Sequence, residues 1–471
     1  MDIPDISTEA LQVFTGEEAS HYRLVPYLLD DTVLYCLSDS GLDYSETIGE
    51  IQTIYGLSTV LSPVGSAELD RLLGLNYRHS VSVEITALHT CGDGDFIGSF
   101  IADACSLRAS DIHIEPSESR CRVRFRIDGR LLERHVIATG EYLGLVNRIK
   151  IMSGLDISEK RLPQDGRIMY SGNGTKLDIR VSVMPSVYGE KVVLRLLSGA
   201  GCRLSLEELG LDDRQYADYT AAVSAPHGLI LISGPTGSGK STTLYATLDR
   251  LNRGDNNILT IEDPVEYTIE GVNQVQLKEE IGLTFPVALR TFLRQDPDII
   301  MLGEIRDEAT VEMAIRSSLT GHLLLSTLHT NSAWGCISRL TDMGAHPYLL
   351  SETLVACVAQ RLVRVLCPHC RRPVSLSSEL LESIGLPADS VCCGSFGCIR
   401  CHYTGYYGRR AVYEVIRMDR NLSDAVRNGV RDVRKYLAEA GVKTLRDSAV
   451  ALLASGETSL EEVMPLLNET I

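Results

Sequence analysis

No apolar run in this 471-residue chain approaches the roughly 18–20 residues that a membrane-spanning helix needs. Any membrane association is therefore expected to come through a partner. The opening Met1-Asp2-Ile3-Pro4-Asp5 is acidic and lacks the basic segment of a secretory signal, so a cytosolic location is expected. Positive charge is scarce as well: 45 Lys and Arg stand against 62 Asp and Glu, for a net charge of −17. Nucleic-acid binders ordinarily carry a basic surface, so a DNA or RNA motor is disfavoured, although a local basic channel is compatible with an acidic total. No long biased tract interrupts the chain. Its 44% hydrophobic and 23% charged residues are those of an ordinary globular protein, and its length implies two to four domains.

What is present begins with Gly234-Pro235-Thr236-Gly237-Ser238-Gly239-Lys240-Ser241, followed by Thr242. The octapeptide fits the phosphate-binding pattern G-x-x-x-x-G-K-[ST]. Before it lies Leu229-Ile230-Leu231-Ile232, of buried-strand length. After it, Leu244, Leu248 and Leu251 recur at helical spacing. Strand, glycine loop and helix N-terminus together cradle an anion, because backbone N–H groups and the helix dipole converge on it. Lys240 is expected to reach the β- and γ-phosphates of ATP, and Ser241 to hold Mg²⁺.

Thirteen cysteines suggest metal rather than disulfides in a long chain with no export signal, and six of them fall between 367 and 401. Cys367-Pro368-His369-Cys370 and Cys398-Ile399-Arg400-Cys401 are two C-x-x-C pairs. Four thiolates at such spacing close a tetrahedral site, and all-sulfur ligation selects Zn²⁺ in a structural role. Cys392 and Cys393 are read as competing ligands or as buried thiols.

The chain divides into a small mixed domain (1–90), a second domain (93–198), a linker (199–213), a P-loop core (214–362), a cysteine-rich insertion (363–411) and a helical C-terminal region (412–471). In the first domain, Val33–Leu37 reads as a strand, and Ser45–Tyr55 and Ser66–Leu75 as helices. In the second, Phe96–Ser106 reads as a helix. Arg122–Ile127 and Leu177–Val183 alternate like half-buried strands, with Asp128-Gly129 a hairpin turn. A last helix is expected from Ser459, where Ser459-Leu460-Glu461-Glu462 forms a capping box.

Three further apolar runs in the core end in polar groups. Ile258–Ile261 leads to Glu262-Asp263-Pro264-Val265-Glu266. Ile299–Leu302 leads to Gly303-Glu304. Leu323–Leu325 leads to Ser326-Thr327-Leu328-His329-Thr330. Alternation with helices implies an α/β fold with a parallel sheet, and ligands bind at the carboxyl ends of such strands. Hydrolysis of ATP needs a metal holder and a group that orients water. Glu304 is read as the Mg²⁺-side carboxylate, acting through water, and Glu266 as the base.

These segments resemble a known family. Ile261–Glu266 is similar to the Asp box of the traffic ATPases of type II secretion and type IV pili. Leu293-Arg294-Gln295-Asp296-Pro297-Asp298, continuing to Gly303-Glu304-Ile305-Arg306-Asp307, resembles their Walker B segment. Gly321-His322 through Asn331 resembles their His box. Ala109–Pro116 and Leu162–Arg167 match the family's preceding domain. The resemblance spans about 93–471. It implies a RecA-like P-loop core, a smaller PAS-like α+β domain before it, and a tetracysteine zinc insertion.

The resemblance also implies a homo-hexameric ring in which the second domain covers the nucleotide. Family arginines map onto Arg167 and Arg180 from that domain, and onto Arg290, Arg294, Arg306 and Arg339 from the core. Arginine supplies permanent planar positive forks to the charge of ATP. His329, and less directly His322, are assigned near the γ-phosphate. The family's pilus retraction members lack the tetracysteine insertion. The expectation is therefore a cytoplasmic ATPase, peripheral at the inner membrane, that drives pseudopilus assembly and protein export in type II secretion. Its partners would be a single-span membrane protein with a cytoplasmic domain (the L protein) and a polytopic platform protein (the F protein). The rival readings are a type IV pilus extension ATPase, which is typically longer before the matched region, and a DNA-translocating or conjugation-type motor.

Overall fold

The computed structural model describes residues 6–11, 13–14, 16–77, 96–118, 120–172, 175–198, 204–430 and 432–467. The expected boundary near residue 90 and the glycine-rich start of the linker, Gly199–Gly201, lie outside the described residues. The chain forms two compact units. One comprises Met1–Ser198, Cys367–Arg372 and Ser395–Tyr407; the other comprises Gly199–Leu366, Pro373–Gly394 and Gly408–Ile471.

The first unit opens with a module of three strands, β1 (Leu24–Asp30), β2 (Val33–Asp39) and β3 (Ser58–Val64). β1 and β2 pair antiparallel, and β2 and β3 pair parallel. A parallel pair needs a crossover, which the helix Ser45–Tyr55 supplies. A further helix, Ser66–Asn76, follows β3. Phe14, Leu24, Leu34, Ile51 and Leu69 are buried together beneath these elements.

The second domain of this unit is a six-stranded antiparallel sheet. Its strands are β4 (Asp111–Pro116), β5 (Arg120–Ile127), β6 (Arg130–Ala138), β7 (Gln164–Gly172), β8 (Thr175–Ser186) and β9 (Gly189–Ser198), in the order β6-β5-β4-β9-β8-β7. Alternation places Cys121, Val123, Phe125 and Ile127 of β5 in the core beneath the helices Phe96–Ser106 and Thr139–Met152. The arginines between them point away. Asp128 and Gly129 have φ of 47° and 87°, the two positive values that a two-residue hairpin of this twist requires.

The second unit is built on seven strands: β10 (Gly228–Ser233), β11 (Ile258–Glu262), β12 (Asn273–Gln276), β13 (Ile299–Leu302), β14 (Leu323–Leu328), β15 (Leu354–Leu366) and β18 (Tyr406–Arg417). The order is β12-β11-β13-β14-β10-β15-β18. The first six pair in parallel. Leu229 and Leu231 of β10 enter one core cluster and Ile230 and Ile232 the other, so both faces of the strand are covered. That double burial is why the run is continuously apolar rather than alternating. Two short strands, β16 (Arg372–Val374) and β17 (Cys392–Gly394), pair with each other.

Several boundaries shift from the sequence reading. The linker holds a helical turn at Leu206–Leu209, and a helix begins at Asp213, capped by Asp212, whose side chain accepts from Gln215 N–H. β15 continues to Leu366, past the expected end of the core at 362. Residues 412–417 are strand, so the C-terminal region turns helical only from Arg420. The last helix starts at Leu460, directly after Ser459.

Candidate active site and metal centre

The P-loop joins β10 to the helix Lys240–Leu251. Gly234, Gly237 and Gly239 have φ of 150°, 80° and 89°. Two of them also face a wall. A Cβ on Gly234 would lie 2.4 Å from the Gln360 carbonyl oxygen, and one on Gly239 would lie 2.8 Å from Gln360 Nε2. Gln360 of β15 therefore backs the loop. It is buried, and its Oε1 accepts from the Thr243 hydroxyl at 2.8 Å. Lys240 Nζ donates to the Gly234 and Pro235 carbonyls at 2.7 and 3.1 Å. Burial lowers the Lys240 pKa, Arg361 adds to that, and Glu304 opposes it.

Parallel pairing brings the carboxyl ends of β11, β13 and β14 to the same edge as the P-loop. Glu304 follows β13 and commits both oxygens: Oε1 pairs with Arg306, and Oε2 lies 3.5 Å from His329 Nε2. Arg306 also reaches Asp263 at 3.3 Å. Gly303 is glycine because β11 is close; a Cβ there would sit 3.3 Å from Glu262 Cα. Ser326–Leu328 belong to β14 itself rather than following it, and Thr327 Oγ1 donates to the Gly303 carbonyl at 2.7 Å.

The two acids of the Asp box differ in kind. Glu262 is buried, and hydroxyls of Thr260 and Tyr245 and the Gln274 amide donate to it. Glu266 is half-buried, and its N–H donates to the Tyr245 hydroxyl at 3.0 Å.

His322 does not join the site. It precedes β14 at the amino edge of the sheet, and its carbonyl accepts from Gly228 N–H at 3.1 Å. Its ring Nδ1 lies 3.0 Å from the Ser317 carbonyl at the end of the helix Glu308–Leu319, a structural role. Arg290, Arg294 and Arg339 are exposed and have no acidic partner among the described residues. Arg290 lies in the last turn of the helix Phe285–Phe292, and Arg339 lies on the helix Gly335–Asp342.

Arg167 and Arg180 belong to the first unit. They stand directly opposite each other on β7 and β8, and the row continues through Arg195, Asp111 and Arg126 on β9, β4 and β5. Arg167 is held by Asp178, and Arg195 by Asp111 at 3.1 Å.

Sequence reasoning missed Gln360 and Arg361. Arg361 is buried on β15, donates to the Asn331 carbonyl at 3.0 Å, and is felt electrostatically at Lys240 and at Glu414. Glu414 of β18 accepts from Ala333 N–H at 2.8 Å, and burial raises its pKa. Together Arg361 and Glu414 pin the segment that follows His329.

The four cysteines Cys367, Cys370, Cys398 and Cys401 converge, with all sulfur atoms within 4.8 Å of one another. Three sulfur pairs measure 3.9, 3.7 and 3.7 Å. Zn–S bonds of about 2.3 Å in a tetrahedron demand edges of about 3.8 Å, so the donor set fits zinc. The Cys398 and Gly405 N–H groups donate to Cys401 Sγ at 3.2 and 3.3 Å. Cys392 and Cys393 lie on β17, outside this set. The triphosphate site passes its own test of fit: the buried Ser238 Oγ in the P-loop has no hydrogen-bond partner among the described residues.

Residues 94–465 match the family model described as Type II/IV secretion system protein. A type II secretion system protein E of Dickeya dadantii is 41% identical over 450 residues, covering 89% of this chain and 90% of the relative. The type IV pilus assembly ATPase PilB of Myxococcus xanthus is 47% identical over 378 residues, covering 78% of this chain and 66% of the relative. Among solved structures, the pilus retraction motor PilT with bound ADP matches with a TM-score of 0.55 at 26% identity, over 79% of this chain and 96% of that one. The ATPase DotB of Legionella pneumophila matches in fold with a TM-score of 0.60 at 21% identity, over 79% of this chain and 95% of that one.

Proposed function

The chain belongs to the type II/IV secretion system protein family, and from that premise we propose that it is the hexameric motor that powers pseudopilus assembly at the inner membrane. It is an ATP hydrolase of a secretion system, akin to the type II E proteins. The observation that carries the mechanism is the shared edge: the P-loop, Glu304, His329 and the Glu266 loop all lie at the carboxyl ends of adjacent parallel strands.

In this reading the P-loop N–H groups and Lys240 bind the β- and γ-phosphates. Mg²⁺, held by Ser241 and on the Glu304 side through water, would neutralise charge on the phosphates. Glu266 orients the attacking water and takes its proton. His329, coupled to Glu304, faces the γ-phosphate side. Arg306, Arg290, Arg294 and Arg339, with Arg167 and Arg180 from the first unit, supply positive charge as it develops on the transferred group. The tetracysteine knot holds one Zn²⁺ structurally. The ring passes its motion to a single-span membrane protein with a cytoplasmic domain and to a polytopic platform protein.

Pilus assembly is the second reading, favoured by the 47% identity to PilB. The secretion reading has the broader support, since two type II E proteins align over 90% of their own length, against 66% for PilB. The test is capture of Glu266→Ala from native membranes with ATP, followed by mass spectrometry. A single-span protein with a large cytoplasmic domain plus a polytopic platform supports secretion. Pilus-alignment proteins would move the assignment to pilus assembly. In turnover assays, Glu266→Ala should bind ATP and hydrolyse it far more slowly, whereas Lys240→Ala should lose affinity. Normal hydrolysis by Glu266→Ala would reject the base assignment.

A further inference from the structure

The helix Ser66–Asn76 of the N-terminal module carries a buried glycine, Gly74. A Cβ there would lie 2.5 and 2.6 Å from Cδ1 and Cγ of Tyr403. The Tyr403 ring therefore rests on the helix backbone itself. Three residues earlier, on the same helix face, the Arg71 guanidinium sits 5.7 Å from the centre of the Phe396 ring. Arg372 lies 5.4 Å from the same ring, so Phe396 meets two cations. Glu68 holds Arg71 in place at 2.6 Å.

Phe396 and Tyr403 bracket the second cysteine pair, two residues before Cys398 and two after Cys401. The backbone there is strained. His402 and Tyr403 have φ of 50° and 58°, consecutive left-handed residues that are not glycine. Such conformations are costly for residues with a Cβ and persist only where the surroundings enforce them. Here the Tyr403 N–H donates to the Cys398 carbonyl at 2.9 Å, and the Tyr403 carbonyl oxygen packs 2.7 Å from where a Cβ of Gly397 would be. The fold of the knot thus aims the ring. Four residues on, the Arg108 guanidinium at the end of the helix Phe96–Ser106 lies 4.0 Å from the Tyr407 ring centre. One short stretch therefore touches both the N-terminal module and the six-stranded domain, all within the same compact unit.

We propose that the tetracysteine knot is the seat on which the N-terminal module docks, with Phe396 and Tyr403 gripping the Arg71–Gly74 face of its helix. Metal binding closes the two cysteine pairs and fixes the spacing of the two rings. Metal occupancy then sets how the module is held against the rest of its unit. The inference rests on the zinc reading of the four cysteines.

The test is hydrogen exchange by mass spectrometry on the full-length protein, following amides 66–76, with metal content measured on the same samples. Gly74→Leu fills the contact from the module side, and Tyr403→Ala empties it from the knot side. Both should keep about one zinc per chain and lose at least tenfold protection over 66–76. The helix Ser45–Tyr55 should stay protected, showing that the module remains folded. Cys398→Ser should lose the metal and the protection together. Unchanged protection over 66–76 in both Gly74→Leu and Tyr403→Ala would overturn the docking inference and leave the zinc reading standing. Full metal retention in Cys398→Ser would instead overturn the zinc reading.

Discussion

Glu266 and Tyr245 are joined through the backbone of one and the hydroxyl of the other: the Glu266 N–H donates to Tyr245 Oη at 3.0 Å. The same hydroxyl donates to the buried Glu262 carboxylate. Gln274 extends the arrangement, donating to Glu262 and to the Tyr267 carbonyl while accepting from Ile269 N–H. The loop that carries the proposed base is thus fastened to the helix that follows the P-loop, by side chains whose polar atoms are already occupied.

Tyr245→Phe removes that fastening and keeps the ring. A loosened base costs rate rather than binding, since misplacement by an ångström is felt in the barrier. The kcat for ATP should fall about tenfold with KM unchanged. A kcat within twofold of the parent would show that the hydroxyl does not position Glu266.

Gly239→Ala should weaken ATP binding at least tenfold by calorimetry. The position combines φ of 89° with a Cβ only 2.8 Å from Gln360 Nε2. Gly254→Ala is the control, because a Cβ there meets nothing within 4 Å. Equal affinities for the two variants would refute the wall formed by Gln360.

Metal content separates the cysteines. Cys367→Ser and Cys398→Ser should lose zinc, and Cys392→Ser should retain it, because only the first two contribute sulfur to the cluster.

Glu115 gives an acid dependence. Burial opposes its ionisation, but Arg124 and Lys191 prevail and bring its pKa down to about 2. Arg122, Arg124 and Lys191 lie 2.8 to 2.9 Å from its oxygens. A depressed carboxylate stabilises the fold above its ordinary value near 4.5, and that contribution is lost as pH falls toward 2. Glu115→Gln should cost about 2 kcal/mol at pH 7. It should also flatten the fall of stability between pH 4.5 and 2, measured by urea unfolding. A variant as acid-sensitive as the parent would contradict the assignment.

The P-loop and the four apolar core strands β10, β11, β13 and β14 were legible because their signals are local. Glycine spacing, apolar runs and turn residues report on neighbours in sequence, and the helices Phe96–Ser106 and Ser45–Tyr55 match their expected bounds. His322 shows the limit: a motif gives proximity in sequence, whereas the two ends of a six-residue strand face opposite edges of the sheet. Gln360 and Arg361 sat unnoticed inside an apolar strand. Their polarity makes sense only once β15 is placed beside β10, across more than a hundred residues. The partners of Phe396 and Tyr403 were invisible for the same reason.

The knot's place in the first unit has a consequence for how the chain is made. Residues 1–198 leave the ribosome early, yet their unit is completed only by residues 367–372 and 395–407. At about 5–20 residues per second, the first unit waits on the order of 10–40 s for its last segment. Cutting the gene after Ser198 would therefore not yield a self-contained first half. It would strip that half of all four knot cysteines, and shortened forms of this protein should be designed to keep them.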